Sequence, residues 1–309
     1  MWQAGQPDTT EPSSGRTDRP FGAARRPEAD GRHRETARSA LMTAGKPKPQ
    51  VDTSKPHPAR VYDYMLGGKD HYKVDRLVGE KLPAIAHRSA QLNRAFMHRA
   101  VAWAARQGID QFLDVGTGIP TEPNLHQVVQ EIVPSARIAY ADNDPIVLRH
   151  AEALLVGTAE GATHYVQADV RDPHAILAGA AEVLDLGRPV ALSLLALLHF
   201  VTDEEDAHGL VRTLVDALAP GSLLIFSHGT YDPYPELADR IGTAYGEGGI
   251  ALRARTRAEV ERFFEGLDLV PPGLVTACEW YRDTPAPPFE VNGIYAGVAR
   301  IGERPAEQR

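Results

Sequence analysis

The sequence of 309 residues contains one cysteine, Cys278. A single thiol cannot form a disulfide within the chain, nor can it supply a cysteine cluster for zinc or an iron–sulfur centre. Long apolar runs are missing too, because the longest, Val190–Val201, has 12 residues and includes Ser193 and His199. A helix that crosses a membrane needs about 20. Since the N-terminus also lacks the apolar core of a secretory signal, we expect a cytoplasmic protein without a membrane partner.

Positive charge is scarce over most of the chain. The net charge is −8, yet the first 50 residues carry nine Lys and Arg against six Asp and Glu, so the remainder carries 24 against 35. An acidic body is electrostatically unsuited to a phosphate backbone. The charge distribution therefore predicts that nucleic acid is not a partner.

Residues 1–50 nearly lack large apolar side chains and are rich in Pro, Gly, Ser, Thr and Arg. Such a segment cannot bury enough surface to offset its conformational entropy, and its acidic residues argue against an Arg-rich targeting peptide. We therefore predict a disordered leader over residues 1–50. Residues 51–108 favour helices without strands, and Ser89 is a candidate N-cap for the longest of them. This segment is predicted to form an N-terminal helical cap or lid.

From residue 109 to 309 the pattern changes to an alternation of strands and helices. Five strands are predicted first, followed by two more near the C-terminus: Gln111–Val115, Arg137–Ala141, Thr163–Ala168, Pro189–Leu198, Leu223–Ser227, Leu269–Val275 and Gly293–Arg300. Asp144 and Asp172, each followed by proline, and Thr202 or Asp203 are candidate helix starts. Such regular alternation predicts an α/β fold with a mostly parallel seven-stranded sheet and helices on both faces.

A glycine turn joins the first predicted strand to the helix that follows it. Gly116 and Gly118 permit a tight turn and a close approach of the backbone to a ligand. Asp114 stands just before them, where a carboxylate repels a pyrophosphate but attracts a cationic amine or sulfonium. The third glycine of a dinucleotide-binding motif is replaced by Thr121, which counts against a nicotinamide cofactor.

Two further acidic residues end the neighbouring predicted strands. Asp142 ends the second strand, where a carboxylate can accept hydrogen bonds from both ribose hydroxyls. Asp169 ends the third strand, near the expected adenine edge. Either residue alone could simply cap a helix or a turn. Together with Asp114 and the glycine turn, however, they favour adenosine with a positively charged tail. S-adenosylmethionine fits that description, whereas NAD fits poorly.

Five longer motifs accompany these residues: Lys55–Asp70, Asn93–Met97, Phe112–Thr121 with Pro123–His126, Tyr140–Pro145 and Ala168–Pro173. Over about residues 51–300 they make the chain resemble a bacterial S-adenosyl methyltransferase family once catalogued as a domain of unknown function. The resemblance implies the Rossmann-like fold of class I methyltransferases with an added N-terminal helical segment, and S-adenosylmethionine as cofactor. It implies no particular acceptor, because the substrates of the family are largely unassigned.

Carried over by position, the resemblance implies a cofactor site of eight residues: Asp114, Gly116, Thr117, Gly118, Asp142, Asn143, Asp169 and Val170. The glycine loop would hold the methionine part of the cofactor, with Asp114 near its amino group. Asp142 would bind the ribose and Asn143 would line the adenine, while Asp169 and Val170 would meet the adenine edge.

Methyl transfer from an activated sulfonium needs alignment and, for some acceptors, a base. His199 and His228, after the fourth and fifth predicted strands, are the candidate catalytic bases, although a histidine there can equally be structural. In the cap, Tyr62, Tyr64 and Tyr72 are candidates to offer ring faces to the sulfonium, with packing as the alternative. The remaining histidines show no metal-ligand spacing, so no metal is predicted.

These observations favour a methyltransferase that uses S-adenosylmethionine and acts on a small-molecule acceptor. A non-catalytic regulator or scaffold that binds S-adenosylmethionine or S-adenosylhomocysteine is the main alternative, because neither candidate base is distinctive. A nicotinamide-dependent oxidoreductase is a third hypothesis, and Asp114 and Thr121 oppose it.

Overall fold

Eight strands form one sheet in the computed structural model, which describes residues 51–154, 157–280 and 292–302. Their bounds are β1 Gln111–Val115, β2 Arg137–Asp142, β3 Ala162–Gln167, β4 Ala191–Leu195, β5 Leu223–Gly229, β6 Asp268–Leu269, β7 Val275–Thr276 and β8 Ile294–Arg300. The order across the sheet is β3-β2-β1-β4-β5-β8-β6, and β7 also pairs with β8. The predicted leader over residues 1–50 lies outside the described residues.

The first five strands run parallel, as predicted, and β8 is antiparallel to β5. One prediction at the C-terminal end is wrong, because Leu269–Val275 is not a single strand. Only its two ends pair with β8: Leu269 belongs to β6 and Val275 belongs to β7. Pro271 and Pro272 lie between them and have no N–H to donate to a strand ladder, so the sheet has eight strands rather than seven.

Nine α-helices lie in the described parts of the chain. They are α1 Pro58–Leu66, α2 Lys73–Gly79, α3 Ala84–Arg106, α4 Leu125–Gln130, α5 Pro145–Leu154, α6 Pro173–Ala180, α7 Ala207–Asp216, α8 Ala238–Glu247 and α9 Arg257–Glu261. Within the described residues, even the 23-residue α3 is too short of apolar residues to span a membrane.

The structure corrects three predicted boundaries. Ser89 does not cap α3, which starts at Ala84; its buried hydroxyl accepts a hydrogen bond from the Gly293 N–H at 2.9 Å. The fourth strand ends at Leu195, because Ala196 has a positive φ of 50°. The next helix starts at Ala207, and its cap is the Asp206 carboxylate, which accepts from the Gly209 N–H.

The sheet separates two apolar clusters, as expected when alternate side chains of a strand point to opposite faces. Leu113 packs in one cluster with side chains of α6 and α7, whereas its neighbour Phe112 packs in the other with side chains of α3 and α4. A third cluster joins Val61 and Val78 of the N-terminal helices to Tyr245 of α8. Helices α1 and α2 are thereby packed against the segment that follows β5.

Candidate functional site

A cavity of about 430 Å³ lies at the carboxyl ends of β1 to β4. Nine of the ten predicted cofactor residues line it: Tyr62, Asp114, Gly116, Thr117, Gly118, Asp142, Asn143, Asp169 and Val170. The parallel strands carry these residues to one edge of the sheet, which is where open α/β sheets bind ligands. The tenth, Tyr64, does not line it, because its ring meets His71 and His87 edge-on instead.

The glycine turn after β1 has the backbone that the sequence predicts. Gly116 and Gly118 have φ values of 73° and 68°, in the left-handed region that side chains other than glycine rarely adopt. The Gly116 N–H donates to the Ala141 carbonyl at 2.8 Å, which fixes the turn to β2. A Cβ on Gly116 would lie 2.7 Å from a Leu197 methyl carbon, so a larger residue here would also displace the Leu197 side chain.

Asp142 connects this turn to the end of β2. Its Oδ2 accepts from the Gly118 N–H at 2.8 Å, and its Oδ1 accepts from the Asp144 N–H at 2.9 Å. Burial raises the pKa of Asp142, and the two backbone donors only partly offset this. Each oxygen retains a further lone pair, because a carboxylate offers about four acceptor positions.

Asp114 lies on the other side of the turn. Its Oδ2 accepts from the Thr117 hydroxyl at 3.0 Å, which orients the carboxyl group at the strand end. Burial raises the pKa of Asp114, while its hydrogen bonds and the nearby Arg94 guanidinium act in the opposite direction. The buried Asp142 and the partly buried Asp114 therefore face one cavity with elevated pKa values.

The third acid is held differently. Asp169 accepts from the Asn143 amide at 2.6 Å and from the Arg171 N–H at 2.9 Å, and its Oδ1 lies 3.2 Å from an Arg171 guanidinium nitrogen. Burial alone would raise the pKa of Asp169, but these donors and the Arg171 charge lower it below the usual value. Arg171 also donates to Glu205 and to the Phe200 carbonyl, so the ends of β3 and β4 are tied together.

Arg94 is a cavity residue that the sequence analysis did not select. It projects from α3 and donates to the carbonyls of Thr121 and Pro123, the latter at 3.0 Å. It thereby holds the loop after the glycine turn while its side chain lines the cavity. Its position within the Asn93–Met97 motif was the only feature of the sequence analysis that pointed to Arg94 as a site residue.

The sequence model of the S-adenosyl methyltransferase family matches residues 44–302. The chain belongs to this family. The match confirms the predicted family and identifies a methyltransferase whose cofactor is S-adenosylmethionine. The order and directions of the strands agree with the predicted Rossmann-like fold.

Two solved structures are similar to this methyltransferase over most of its length. A DUF574-family protein from Streptomyces avermitilis is 45% identical, with a TM-score of 0.78, and the match covers 81% of this chain and 99% of that chain. A protein from Thermobifida fusca, described provisionally as a methyltransferase, is 37% identical with a TM-score of 0.74, covering 83% and 99%. No curated protein matches the chain.

The two candidate bases of the methyltransferase lie outside the large cavity. His228 is fully buried: its Nδ1 lies 2.7 Å from the Gly229 carbonyl, and its Nε2 lies 2.9 Å from an Arg255 guanidinium nitrogen. Both ring nitrogens thus form hydrogen bonds within the protein, so His228 has no free lone pair with which to take a proton from the methyl acceptor. His199 lines a second cavity, and burial together with the Arg255 charge lowers its pKa to about 3. A histidine with so low a pKa is a weak base at neutral pH.

A buried group of charges anchors the N-terminal helices of the methyltransferase beside this site. The Arg60 Nε lies 3.1 Å from Asp144 Oδ2 and 3.7 Å from Asp75 Oδ1. His57 also contacts both acids, through its ring at 3.2 Å from Asp144 and through its backbone N–H, which donates to Asp75 at 2.9 Å. Arg60, Asp75 and Asp144 are at most 3% exposed, so α1 and α2 are fastened to the loop after β2.

Proposed function

We propose that the 430 Å³ cavity binds S-adenosylmethionine for methyl transfer to a small-molecule acceptor. The observation that carries this proposal is the convergence of three carboxyl groups, from the ends of three adjacent parallel strands, on one cavity beside a glycine turn. In this arrangement Gly116, Thr117 and Gly118 hold the methionine part.

The remaining contacts of the proposed site are made by the three carboxyl groups, which can still accept hydrogen bonds from the cofactor. Asp142 has lone pairs left for the two ribose hydroxyls after its bonds to two backbone N–H groups. Asp114 attracts the amino group of the methionine part. Asp169, held by Asn143, accepts from the exocyclic amine of the adenine, beside Val170.

We further propose that residues 51–108 act as a cap over a cofactor-binding domain formed by residues 109–309. Tyr62 of α1 lines the cavity, and its hydroxyl donates to the Ala90 carbonyl and accepts from the Asn93 amide, both at 3.0 Å. Because the hydroxyl is engaged in these two hydrogen bonds, the aromatic ring is the part of Tyr62 that can contact a cationic ligand. The cytoplasmic location and the exclusion of nucleic acid are part of the same proposal and rest on composition and charge.

When bound, the cofactor supplies a methyl group activated by a sulfonium. The chain's own contribution is to bind and orient the reactants, because the neutral histidines provide no strong base. The acidic residues keep negative charge near the cationic part of the cofactor. A proton released by the acceptor then passes to water.

Calorimetry with the purified chain tests the proposed site. We expect stoichiometric binding of S-adenosylmethionine and S-adenosylhomocysteine and at least ten-fold weaker binding of NAD. Absence of heat and of any thermal shift with both adenosyl compounds would contradict the proposal. Tight binding of NAD would revive the oxidoreductase alternative.

The affinity for S-adenosylmethionine is expected to depend on pH. Because burial raises the pKa values of Asp114 and Asp142, both groups protonate at higher pH than a surface aspartate does. A cationic ligand requires the ionised forms, so the affinity is constant above the raised pKa values. It falls as the pH drops through them, by up to about ten-fold per pH unit for each group.

Titrations at several pH values measure this dependence, with Asp114→Asn as the test variant and Asp172→Asn, at the exposed start of α6, as the control. The first variant should flatten the profile and the second should not. An affinity in the wild-type protein that stays constant down to the pH of unfolding would disprove the coupling.

A further inference from the structure

A second, smaller cavity adjoins the proposed cofactor site. It measures about 100 Å³ and lies between α1, α3, α8 and the segments after β4 and β5. Apolar and aromatic side chains dominate its wall, among them Ile241, Leu252, Tyr231, Tyr234 and Tyr245. An apolar cavity of about 150 Å³ holds benzene, so this smaller cavity limits an aromatic ligand to a single ring.

The two cavities share part of their walls. Pro58 and Tyr62 of α1, with Ala196 and Phe200 after β4, line both. The two cavities therefore adjoin each other along these four residues. Adjoining cavities are what a group-transfer site requires, because donor and acceptor atoms must approach each other.

No formal charge lines the smaller cavity among the residues that the structure describes, since none of its wall residues is Asp, Glu, Lys or Arg. Burial raises the pKa of Tyr231 to about 12 and raises the pKa of Tyr245 as well, so these hydroxyls stay neutral. The low pKa of His199 keeps that ring neutral too. An ionised ligand would lose its hydration here without gaining a counter-charge.

His199 supplies a polar group to this wall. The Gly229 N–H lies 3.2 Å from His199 Nδ1, which therefore accepts and leaves the ring proton on Nε2. Within the described parts of the chain, Nε2 has no hydrogen-bond partner. A neutral imidazole with a free N–H is a donor for a hydroxyl oxygen or another neutral heteroatom.

We propose that the smaller cavity is the methyl-acceptor site and takes an uncharged, planar aromatic compound that bears a hydroxyl or another neutral heteroatom. This inference rests on the proposed function, because it needs the cofactor in the adjoining cavity. In the transfer, the acceptor heteroatom forms a bond to the methyl carbon, the S–C bond breaks with its electron pair kept by sulfur, and the heteroatom's proton leaves to water. His199 is a positioning residue for that heteroatom rather than a base.

Matched probes test the class of acceptor. The full chain, saturated with S-adenosylhomocysteine, is titrated with 4-methylphenol, 4-methylbenzoate, 4-methylphenyl phosphate and toluene. We expect 4-methylphenol to bind at least ten-fold more tightly than either anion, and several-fold more tightly than toluene. Equal affinities for the neutral and anionic probes, or undetectable binding of all four, would overturn the inference.

Two variants locate the probe site. Ile241→Trp fills the smaller cavity and should abolish binding of 4-methylphenol while affinity for S-adenosylhomocysteine is retained. Ile132→Trp, at a partly buried isoleucine that lines neither cavity, should leave the affinities for 4-methylphenol and for S-adenosylhomocysteine unchanged. If Ile241→Trp does not fold, Ala86→Phe, at another wall residue of the same cavity, replaces it. Unchanged 4-methylphenol binding in a folded blocking variant would refute the placement.

These outcomes separate two failures. If the wild-type protein does not bind S-adenosylhomocysteine, the proposed cofactor site fails. If it binds S-adenosylhomocysteine but does not discriminate among the probes, only the acceptor site fails.

Discussion

Asp142→Ala is expected to weaken binding of S-adenosylhomocysteine by about ten-fold to 150-fold, which corresponds to the roughly 1.5–3 kcal/mol of a hydrogen bond to a charged group. The effect has two physical sources. The variant loses the acceptor for the ribose hydroxyls, and it leaves the N–H groups of Gly118 and Asp144 without their partner. Calorimetry measures the total loss.

The ribose contribution can be separated from the loosening of the glycine turn. Wild-type protein should prefer adenosine to 2′,3′-dideoxyadenosine, and Asp142→Ala should lose that preference. Asp172→Ala, which removes a carboxylate that caps α6 outside the cavity, should retain it. A preference that survives in Asp142→Ala would show that this residue acts on the turn and not on the ribose.

Arg60→Ala is expected to lower the free energy of unfolding by about 3–5 kcal/mol. Removing this guanidinium leaves Asp75 and Asp144 as two buried acidic groups without their arginine partner. It also removes the donors to the carbonyls of Asp52 and Lys55, at 3.1 and 3.2 Å. Denaturant unfolding measures the loss.

The matched control for this prediction is Arg76→Ala in α2. Arg76 forms an exposed i,i+4 pair with Glu80 at 3.4 Å, and such pairs contribute less than about 1 kcal/mol. If the cap separates before the sheet unfolds, hydrogen exchange across α1 should rise in Arg60→Ala but not in the control. Equal stability of the two variants would mean that the buried group of charges does not anchor the cap.

The strand-end residues could be predicted from the sequence because their positions depend on local patterns. An apolar strand followed by a glycine turn or an acid places that side chain at the edge of a parallel sheet, whatever surrounds it. Asp114, Asp142 and Asp169 accordingly line one cavity. Arg94 could not be predicted in this way, because its contacts are with a loop some 27 residues away in sequence and no local pattern reveals them.

The cap residues illustrate the limit of pattern reasoning. Tyr62 and Tyr64 are two positions apart on α1, so their side chains point about 200° apart around the helix axis. Only one of them can line the cavity, and the helical geometry alone would have excluded the pair. Which one does so depends on how α1 packs against α3 and α8, and no local pattern contains that information.

The wall shared by the two cavities has a kinetic consequence. Pro58 and Tyr62 belong to α1, so under the proposed assignment of the two cavities a displacement of that single helix would uncover both ligand positions at once. Loading of the methyl donor and departure of the methylated product would then depend on the same movement. The ion pairs of Arg60 would oppose it, and their strength would govern how quickly one turnover can follow another.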